Sequence, residues 1–433
     1  MRRKPLFPPP KNAAGIRPRH KGRQLRSVLT ENGRVRLQRI RWAITGESCT
    51  TPIDAMLDRA EKSFTRGVRE MLCRLNQSSS SFLKTAKNIG RLASIDISGE
   101  SVRKLVESEG RAVTKEFAKG RFDVGWSAAD CVVEEPTAAA TSSTSAMLPG
   151  SEVASSKPAN PSGKPGKTRI YVGCDGVKVP VVTDVEKRRR RKTIKDKRRR
   201  SGRKCRPLPA MRPGADQQYK EARIVTAYDE SQTHRLVMST RGNSETTGRM
   251  LCKLGTMIEL KQATETIANI DGAPWIRNQL EFHHIVQEIN LDYYHLKDNA
   301  QKARREMFGS DEAGAAWLEK LMSVLMEEGV DAMLAELVEQ RKSVRGRRRK
   351  ALQQLLGYIS ERREIIRYRE LRERGIQIGS GPTEAQCKTT TQRIKGRGRR
   401  WDFENAESMM NLAALDASNL WEKHWENTPN IVA

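Results

Sequence analysis

TRIYVGCDGVKVPVVTD (168–184), EARIVTAYDES (221–231) and HRLVMSTRG (234–242) decide the fold. The first reads as two β-strands joined at Asp175-Gly176, the other two as one strand each. All are rich in β-branched and aromatic residues and bounded by turn formers. Downstream, Glu245–Leu260 reads as a helix. ETIANIDGAPWI (265–276) reads as a strand ending at Asp271 followed by a helix start, HHIVQEINLD (283–292) as a short strand, and YYHLKDNAQKARREMF (293–308) as a helix. From Asp311 to Gly375 the pattern is helical, with Trp317, Leu321, Leu325, Leu334, Leu337, Leu352, Leu355, Leu356 and Ile359 recurring on apolar faces. A glycine-rich turn, GIQIGSGPTE (375–384), precedes a last helix from about Glu404 to Trp425.

The order β-β-β-α-β-α, then helices, allows three leading strands to form an antiparallel meander followed by parallel additions. That is an α/β chain with a mixed sheet of the ribonuclease H kind. Upstream, Gln24–Leu29 and Arg34–Ile44 flank Asn32-Gly33, a hairpin signal. Pro52 to Leu75 reads as helix on Ile53, Met56, Leu57 and Phe64. SFLKTAKNIGRLASIDISGESVRKLVESEG (81–110) reads as two helices, the second capped by Ser98. Ala86, Ile89 and Leu92 would pack on Val102, Leu105 and Val106, offering Gly99, Glu100, Arg103 and Lys104 to a DNA groove. An ordinary helical hairpin has the same pattern. Residues 132–168, rich in Pro, Ser, Thr, Ala and Gly, read as a linker. The expected organisation is a disordered basic arm (1–23), a hairpin plus helix-turn-helix region (24–131), the linker (132–168), and a catalytic domain in parts 169–310 and 376–433 around the helices of 311–375.

The chain has 433 residues and a net charge of +28. Residues 1–23, Lys187–Arg206 and 388–400 carry +8, +13 and +6, so three short segments hold nearly all of the excess. Polyanions are the first partners such a distribution implies. Arg188, Arg189, Arg190 and Arg191 lie in the densest tract, a loop between strands that would bind phosphates. Lys388, Arg393, Lys395, Arg397, Arg399 and Arg400 form a glycine-broken basic loop ending at Trp401. Trp401 would stack on an extruded base or anchor the final helix. No run of 18 apolar residues exists, which gives no membrane span, and the basic N-terminus lacks a signal-type apolar stretch. The seven cysteines (Cys49, Cys73, Cys131, Cys174, Cys205, Cys252, Cys387) are scattered with no CxxC pair, as in a reducing cytoplasm.

Three acids stand out. Asp175 and Asp271 sit at expected strand ends before glycine, and Glu384 opens a helix after Gly-Ser-Gly-Pro. A carboxylate at a buried strand end is costly unless something binds it, and divalent metal is the common answer. Two such ions about 3.5–4 Å apart can activate a nucleophile and stabilise a leaving oxygen in phosphodiester chemistry.

VGCDGVKVP (172–180), KEARIVTAYDES (220–231), IANIDGAPWIRNQ (267–279), LDYYHLKDNAQKARREMFG (291–309), IGSGPTEAQCKTTTQRIKGRGRRW (378–401) and ENAESMMNLAAL (404–415) resemble a family of bacterial insertion-sequence transposases. These are cut-and-join enzymes with an Asp-Asp-Glu triad on a ribonuclease H-like fold. The resemblance extends from about Arg169 to Trp425. It implies Asp175, Asp271 and Glu384 as successive catalytic metal ligands for Mg²⁺ or Mn²⁺, two ions in all. With Glu384 113 positions after Asp271, the helices of 311–375 become an insertion. Metal-activated water would cut at an element end, and the freed 3′-hydroxyl would attack target DNA, with no covalent protein intermediate. Tyr293, Tyr294 and Leu296 are accordingly expected to pack, with His295 a candidate contact near the scissile bond. The implied partners are double-stranded DNA, as terminal inverted repeats and target, and further copies of the chain, in a bacterial cytoplasm at the nucleoid. Relatives often carry paired cysteines after the hairpin; only Cys49 lies there, so no zinc is expected. The competing readings are a transposase-derived DNA-binding protein without catalysis, and an RNA-binding or ribosome-associated protein.

Overall fold

A computed structural model describes residues 15–45, 51, 64–133, 166–202, 206–309 and 312–427. Most of the expected arm and linker, residues 52–63 of the helix expected from Pro52 to Leu75, Cys49 and Cys205 lie outside these residues. The hairpin is present as β1 (Arg19–Thr30) and β2 (Gly33–Ala43), antiparallel and closed at Thr30 opposite Gly33. Gly33 has φ +99°, a conformation that glycine adopts without strain. Three helices follow: α1 (Arg66–Ser78), α2 (Phe82–Ala93) and α3 (Gly99–Lys119). Ser81 and Ser98 cap α2 and α3, each hydroxyl accepting a backbone N–H at 3.1 Å.

The helix pair packs through Ala86, Ile89, Val102, Leu105 and Val106, but Leu92 does not join them and is 79% exposed. The apolar stripe of α2 runs 82, 86, 89, 93, and Leu92 falls outside it. The rest of α3 is buried through Val113 and Phe117 against α13 (Phe403–Ala417). At Gly110 a Cβ would come within 2.6 Å of the Ser408 carbonyl oxygen. One continuous apolar cluster therefore runs from Leu29 to Trp425, across the linker expected between them.

The central sheet has the order β5-β4-β3-β6-β7. β3 (Arg169–Pro180), β4 (Tyr219–Tyr228) and β5 (Arg235–Thr240) are an antiparallel meander. β6 (Glu265–Ile270) runs parallel to β3, and β7 (Glu288–Leu291) parallel to β6. β3 corrects the reading of two strands joined at Asp175-Gly176. It is one strand, with Asp175 opposite Ile224 and Gly176 opposite Arg223. An Asp-Gly pair makes a tight hairpin only with positive φ; Gly176 has none, and pairing to β4 carries the strand through.

The tract expected as a basic loop is also corrected. It forms α4 (Asp184–Ser201), with Thr183 and Glu186 in a reciprocal capping box, Asp184 and Glu186 in the first turn, and Arg198–Arg200 in the last. That charge order suits the helix dipole, and Gly202 ends it in the left-handed region. No α4 residue is buried. Then come α5 (Ser244–Met257), α6 (Pro274–Phe282) and α7 (Tyr293–Phe308). The helical stretch is α8 (Glu312–Glu327), α9 (Val330–Ser343), α10 (Gly346–Ser360) and α11 (Tyr368–Glu373). α12 (Gly381–Thr391) packs on β3 and β4. The single helix expected over 404–425 is α13 and then α14 (Trp421–Asn427). The break follows from Ser418, whose hydroxyl accepts from Val237 N of β5 at 2.8 Å, and from Asn419 at φ 55°.

Candidate functional site

The chain returns from its helical stretch through residues 374–380, and buried polar groups fix this segment on the sheet. Arg169, 2% exposed, pairs with Glu265 (2.8 Å) and Glu230 (3.0 Å) and donates to the carbonyls of Arg374 and Gly375. Tyr171 Oη accepts from Gln377 N at 3.0 Å. Asn269 Nδ2 donates to the carbonyls of Gln377 (2.9 Å) and Gly379 (3.2 Å). Asp292 accepts from Ser380 N. These groups deliver the Gly-Ser-Gly-Pro turn, and Glu384 stands in the first turn of α12 as the sequence implies.

Asp175 lies on β3 three residues past Val172, the last β3 residue paired to β6. Its carboxylate accepts from Gly176 N (2.6 Å) and from the Cys387 thiol (3.4 Å). Burial pushes its pKa up and the charge of Asp271 adds to this, while the Cys387 and Gly176 hydrogen bonds and His295 act against them. The Cys387 thiol is raised by burial and by Asp175, so it is neutral and no nucleophile. Asp271 follows β6 directly and accepts from Ala273 N at 2.8 Å. Gly272, at φ +84°, makes the turn, and its carbonyl is held by Arg362 from beyond α10 at 3.1 Å. Gly173 has no room for a side chain: a Cβ would fall 1.8 Å from Thr383 Oγ1 and 2.6 Å from Thr226 Oγ1. Gly173→Ala is expected to lower stability by about 1–3 kcal/mol by overpacking, read as a drop in Tm; an unchanged Tm would contradict this close approach.

An open cleft of about 980 Å³ brings together Asp175, Lys178, Tyr294, His295, Glu384, Lys388 and Lys395. Asp271 does not line it, but its charge acts on Asp175 and His295. The three acids are not all within 4.8 Å of one another. Among the described residues, no lysine or arginine pairs with Asp175, Asp271 or Glu384, whereas Glu265 and Glu288, at the other ends of β6 and β7, are both held by Arg374. The charge of Asp271 disfavours a charged Asp175, a repulsion that a bound cation relieves.

His295 was a candidate from the sequence, but its partner Asp292 was missed. Asp292 and His295 join Glu384 in a group whose ligand atoms all lie within 4.8 Å. Asp292 is fully buried, caps α7 by accepting from His295 N (2.8 Å), and lies 3.3 Å from His295 Nδ1; that nitrogen is 3.9 Å from Glu384 Oε1. Burial alone would raise the Asp292 carboxyl, yet its bonds to His295 and Ser380 hold it down at about 2. The His295 pKa is raised, chiefly by Asp292. The available signal was an aspartate directly before a helix, overshadowed by the two tyrosines. Tyr293 packs on Tyr368 and Leu296 is buried, as expected; Tyr294, edge-on to the Tyr293 ring, is 62% exposed at the cleft.

Two expected DNA contacts are corrected. Trp401 is buried and donates to the Ile394 carbonyl at 3.2 Å, which is its anchoring role. Arg393, 3% exposed, lies between the rings of Phe82 and Trp401 and donates to the Asn76 carbonyl at 2.9 Å. Burial lowers its pKa to about 10. Neither can reach a phosphate. Arg399 donates to the Arg393 carbonyl and Arg400 pairs with Glu186, while Arg397 is exposed. Arg103 is held between Glu100 and Glu107, and Lys104 lies 3.5 Å from Glu100. Arg188, Arg189 and Arg190 are exposed, and Arg191 donates to the Pro209 carbonyl at 2.7 Å.

A family model described as an uncharacterised protein family, UPF0236, matches residues 253–428, a span that holds Asp271, Asp292, His295 and Glu384 but not Asp175. A UPF0236 protein in the vanSb 3′ region of Streptococcus gallolyticus is 33% identical over 82 residues, which span 18% of this chain and 18% of that protein. Among solved structures, the Drosophila P element transposase strand transfer complex aligns over 61% of this chain and 67% of that one, at 13% identity and a TM-score of 0.19. Among the described residues no helix is long and apolar enough to cross a membrane.

Proposed function

We propose that this chain is a metal-dependent transposase of the Asp-Asp-Glu class, cutting the ends of an insertion sequence and joining them to target DNA. The observation that carries the reading is the cleft. Asp175 and Glu384 face it, the charge of Asp271 acts on it, none of the three has a lysine or arginine partner among the described residues, and Lys178, Lys388 and Lys395 line it. A ribonuclease H-like reading of the core is supported by the sheet order β5-β4-β3-β6-β7 with its antiparallel meander, and the family resemblance of the sequence supports the triad. Hard oxygen donors suit Mg²⁺ or Mn²⁺, and Asp175, Asp271 and Glu384 would hold the ions. Such ions would activate the attacking oxygen and stabilise the leaving one. Lys388 and Lys395 hold the DNA backbone in the cleft. Cys387 orients the Asp175 carboxylate, and Asp292 orients His295 toward Glu384. The test is cleavage of the element's own terminal repeats with Mg²⁺ or Mn²⁺. Binding without cutting would leave a non-catalytic DNA-binding protein, and preference for RNA would remove the proposal. Synapsis of two ends calls for more than one copy of the chain.

α4 is the expected duplex-binding element outside the cleft. Its exposed face carries Arg188, Arg189 and Arg190 with no buried residue behind them. Changing these three to glutamine is expected to reduce the slope of log K against log salt by about 0.9 for each phosphate no longer neutralised, measured by fluorescence anisotropy at several salt concentrations. An unchanged slope would take α4 off the DNA.

A further inference from the structure

A second convergence of metal-binding side chains lies away from the cleft. Cys131, Asp229 and His234 present one ligand atom each, all within 4.8 Å of one another. They come from two separate parts of the chain. Cys131 follows a short 3-10 turn (Ala128–Asp130) whose Ala128 N donates to the Ile258 carbonyl, and its own carbonyl accepts from Arg169 N at the start of β3. Asp229 and His234 are the two ends of the turn joining β4 to β5. There Asp229 Oδ1 accepts from His234 N (3.2 Å), and Oδ2 lies 3.0 Å from His234 Nδ1.

The trio has the marks of a built site. Cys131 is 2% exposed and Asp229 8% exposed, so a sulfur and a carboxylate share one largely water-free space. The carboxylate is aimed by Ser231 Oγ at 2.9 Å, an outer partner of the kind that fixes metal ligands. The ring of Trp126 lies against the imidazole at 5.3 Å between centroids. Among the described residues the thiol's acceptor is the Ser127 carbonyl at 3.7 Å. The His234 side chain is 29% exposed, which leaves an approach for the ion and for a water.

We propose that Cys131, Asp229 and His234 form a Zn²⁺ site that ties the end of the N-terminal region to the β4–β5 turn. One sulfur, one imidazole nitrogen and one carboxylate oxygen are a borderline-soft donor set, which favours Zn²⁺ over Mg²⁺. Three protein ligands leave the fourth tetrahedral position to water. On binding, the Cys131 S–H bond breaks, its proton passes to solvent, and the sulfur lone pair forms the bond to the metal. The sequence pointed away from zinc because it holds no neighbouring cysteines after the hairpin. This site takes its ligands from distant stretches of chain, and it is independent of the DNA chemistry proposed for the cleft.

The test uses the full chain, stripped of metal and titrated with Co²⁺ and then Zn²⁺. One Co²⁺ per chain is expected to give a thiolate-to-metal charge-transfer band, which Zn²⁺ bleaches. The band should vanish in Cys131→Ser and persist in Cys387→Ser, the other thiol beside a carboxylate. His234→Ala should weaken binding by about 10–100-fold or more. In the wild type, Zn²⁺ should shield Cys131 from alkylation, read by peptide mass spectrometry, a measurement that needs no variant to fold. No thiolate band in the wild type, a band that survives Cys131→Ser, or alkylation of Cys131 unaffected by Zn²⁺ would each overturn the site.

Discussion

Glu384→Gln, Asp175→Asn and Asp271→Asn are each expected to slow strand cleavage by about 10³-fold while leaving DNA binding intact, an effect of the size seen when one preorganised electrostatic contact to a reacting group is removed. Each change keeps the shape of the side chain and removes the charge that would hold a divalent ion. Asp175→Asn gives the sharpest form of the test, because function and stability should move apart. The folded-state pKa of Asp175 is raised, so its contribution to stability is full below the ordinary carboxylate range and is lost as pH rises through the folded value. At neutral pH the charged form is the costly one. The asparagine amide oxygen can still accept from Gly176 N. The variant should therefore melt at or above the wild-type Tm while cutting far more slowly. Cleavage within a few-fold of wild type in any of the three would remove that residue from the triad.

The second large effect is structural. Asp292→Ala is expected to destabilise the chain by about 3–4 kcal/mol, from two buried N–H donors left without an acceptor and the removal of a helix cap. The donors are His295 N and Ser380 N. The aspartate is fully buried, so water cannot replace it. Its folded pKa of about 2 lies below the ordinary value of 3.8. That contribution is present above about pH 4 and is lost as pH falls towards 2, a change of about 2 kcal/mol. Denaturant midpoints measured between pH 4 and 2 should fall in the wild type and be flatter in the variant. A loss below about 1 kcal/mol at neutral pH would mean that Asp292 is not the acceptor holding the 380 turn. Because the raised pKa of His295 comes chiefly from Asp292, the same variant should move the His295 titration down, visible by NMR.

Local patterns carried the parts of the fold that local energetics decide. ETIANID and the helix after Gly-Ser-Gly-Pro formed as read, since a β-branched run and a proline-led helix start need little from elsewhere. Asp175-Gly176 misled because its turn tendency is weaker than the pairing of a whole strand with β4, which lies outside any local window. The helix α4 was hidden by its charge: with no apolar face there was no periodicity to detect, and the Thr183–Glu186 box was its only sequence mark. Arg393 counted as a DNA contact, and Trp401 as either a stacking platform or an anchor, because charge and aromaticity can be read from sequence and burial cannot. Their partners, Asn76 and Phe82, lie some three hundred residues earlier. Of the cleft, the acids at 175 and 384 were legible; the support of His295 by Asp292 became visible only when residue 380 came back beside α7.

The short segment from Arg374 to Ser380 bears on how such a chain can change. Its attachments to Arg169, Tyr171, Asn269 and Asp292 are made to the sheet or to the first residues after it, and Ile376 N donates to the Leu371 carbonyl at the end of α11. Glu384 is therefore located by seven residues of neighbouring backbone, held between the sheet and the last helix of the long excursion. Helices α8 and α9, which make none of these bonds, can lengthen, shorten or diverge in sequence with little effect on the acid that follows. Arg362, clasped on the Gly272 carbonyl, is a direct link by which that excursion bears on the Asp271 turn, and Glu364 on Arg277 of α6 is another. Divergence in size can be free in α8 and α9, while the Arg362 guanidinium is under the same constraint as the cleft.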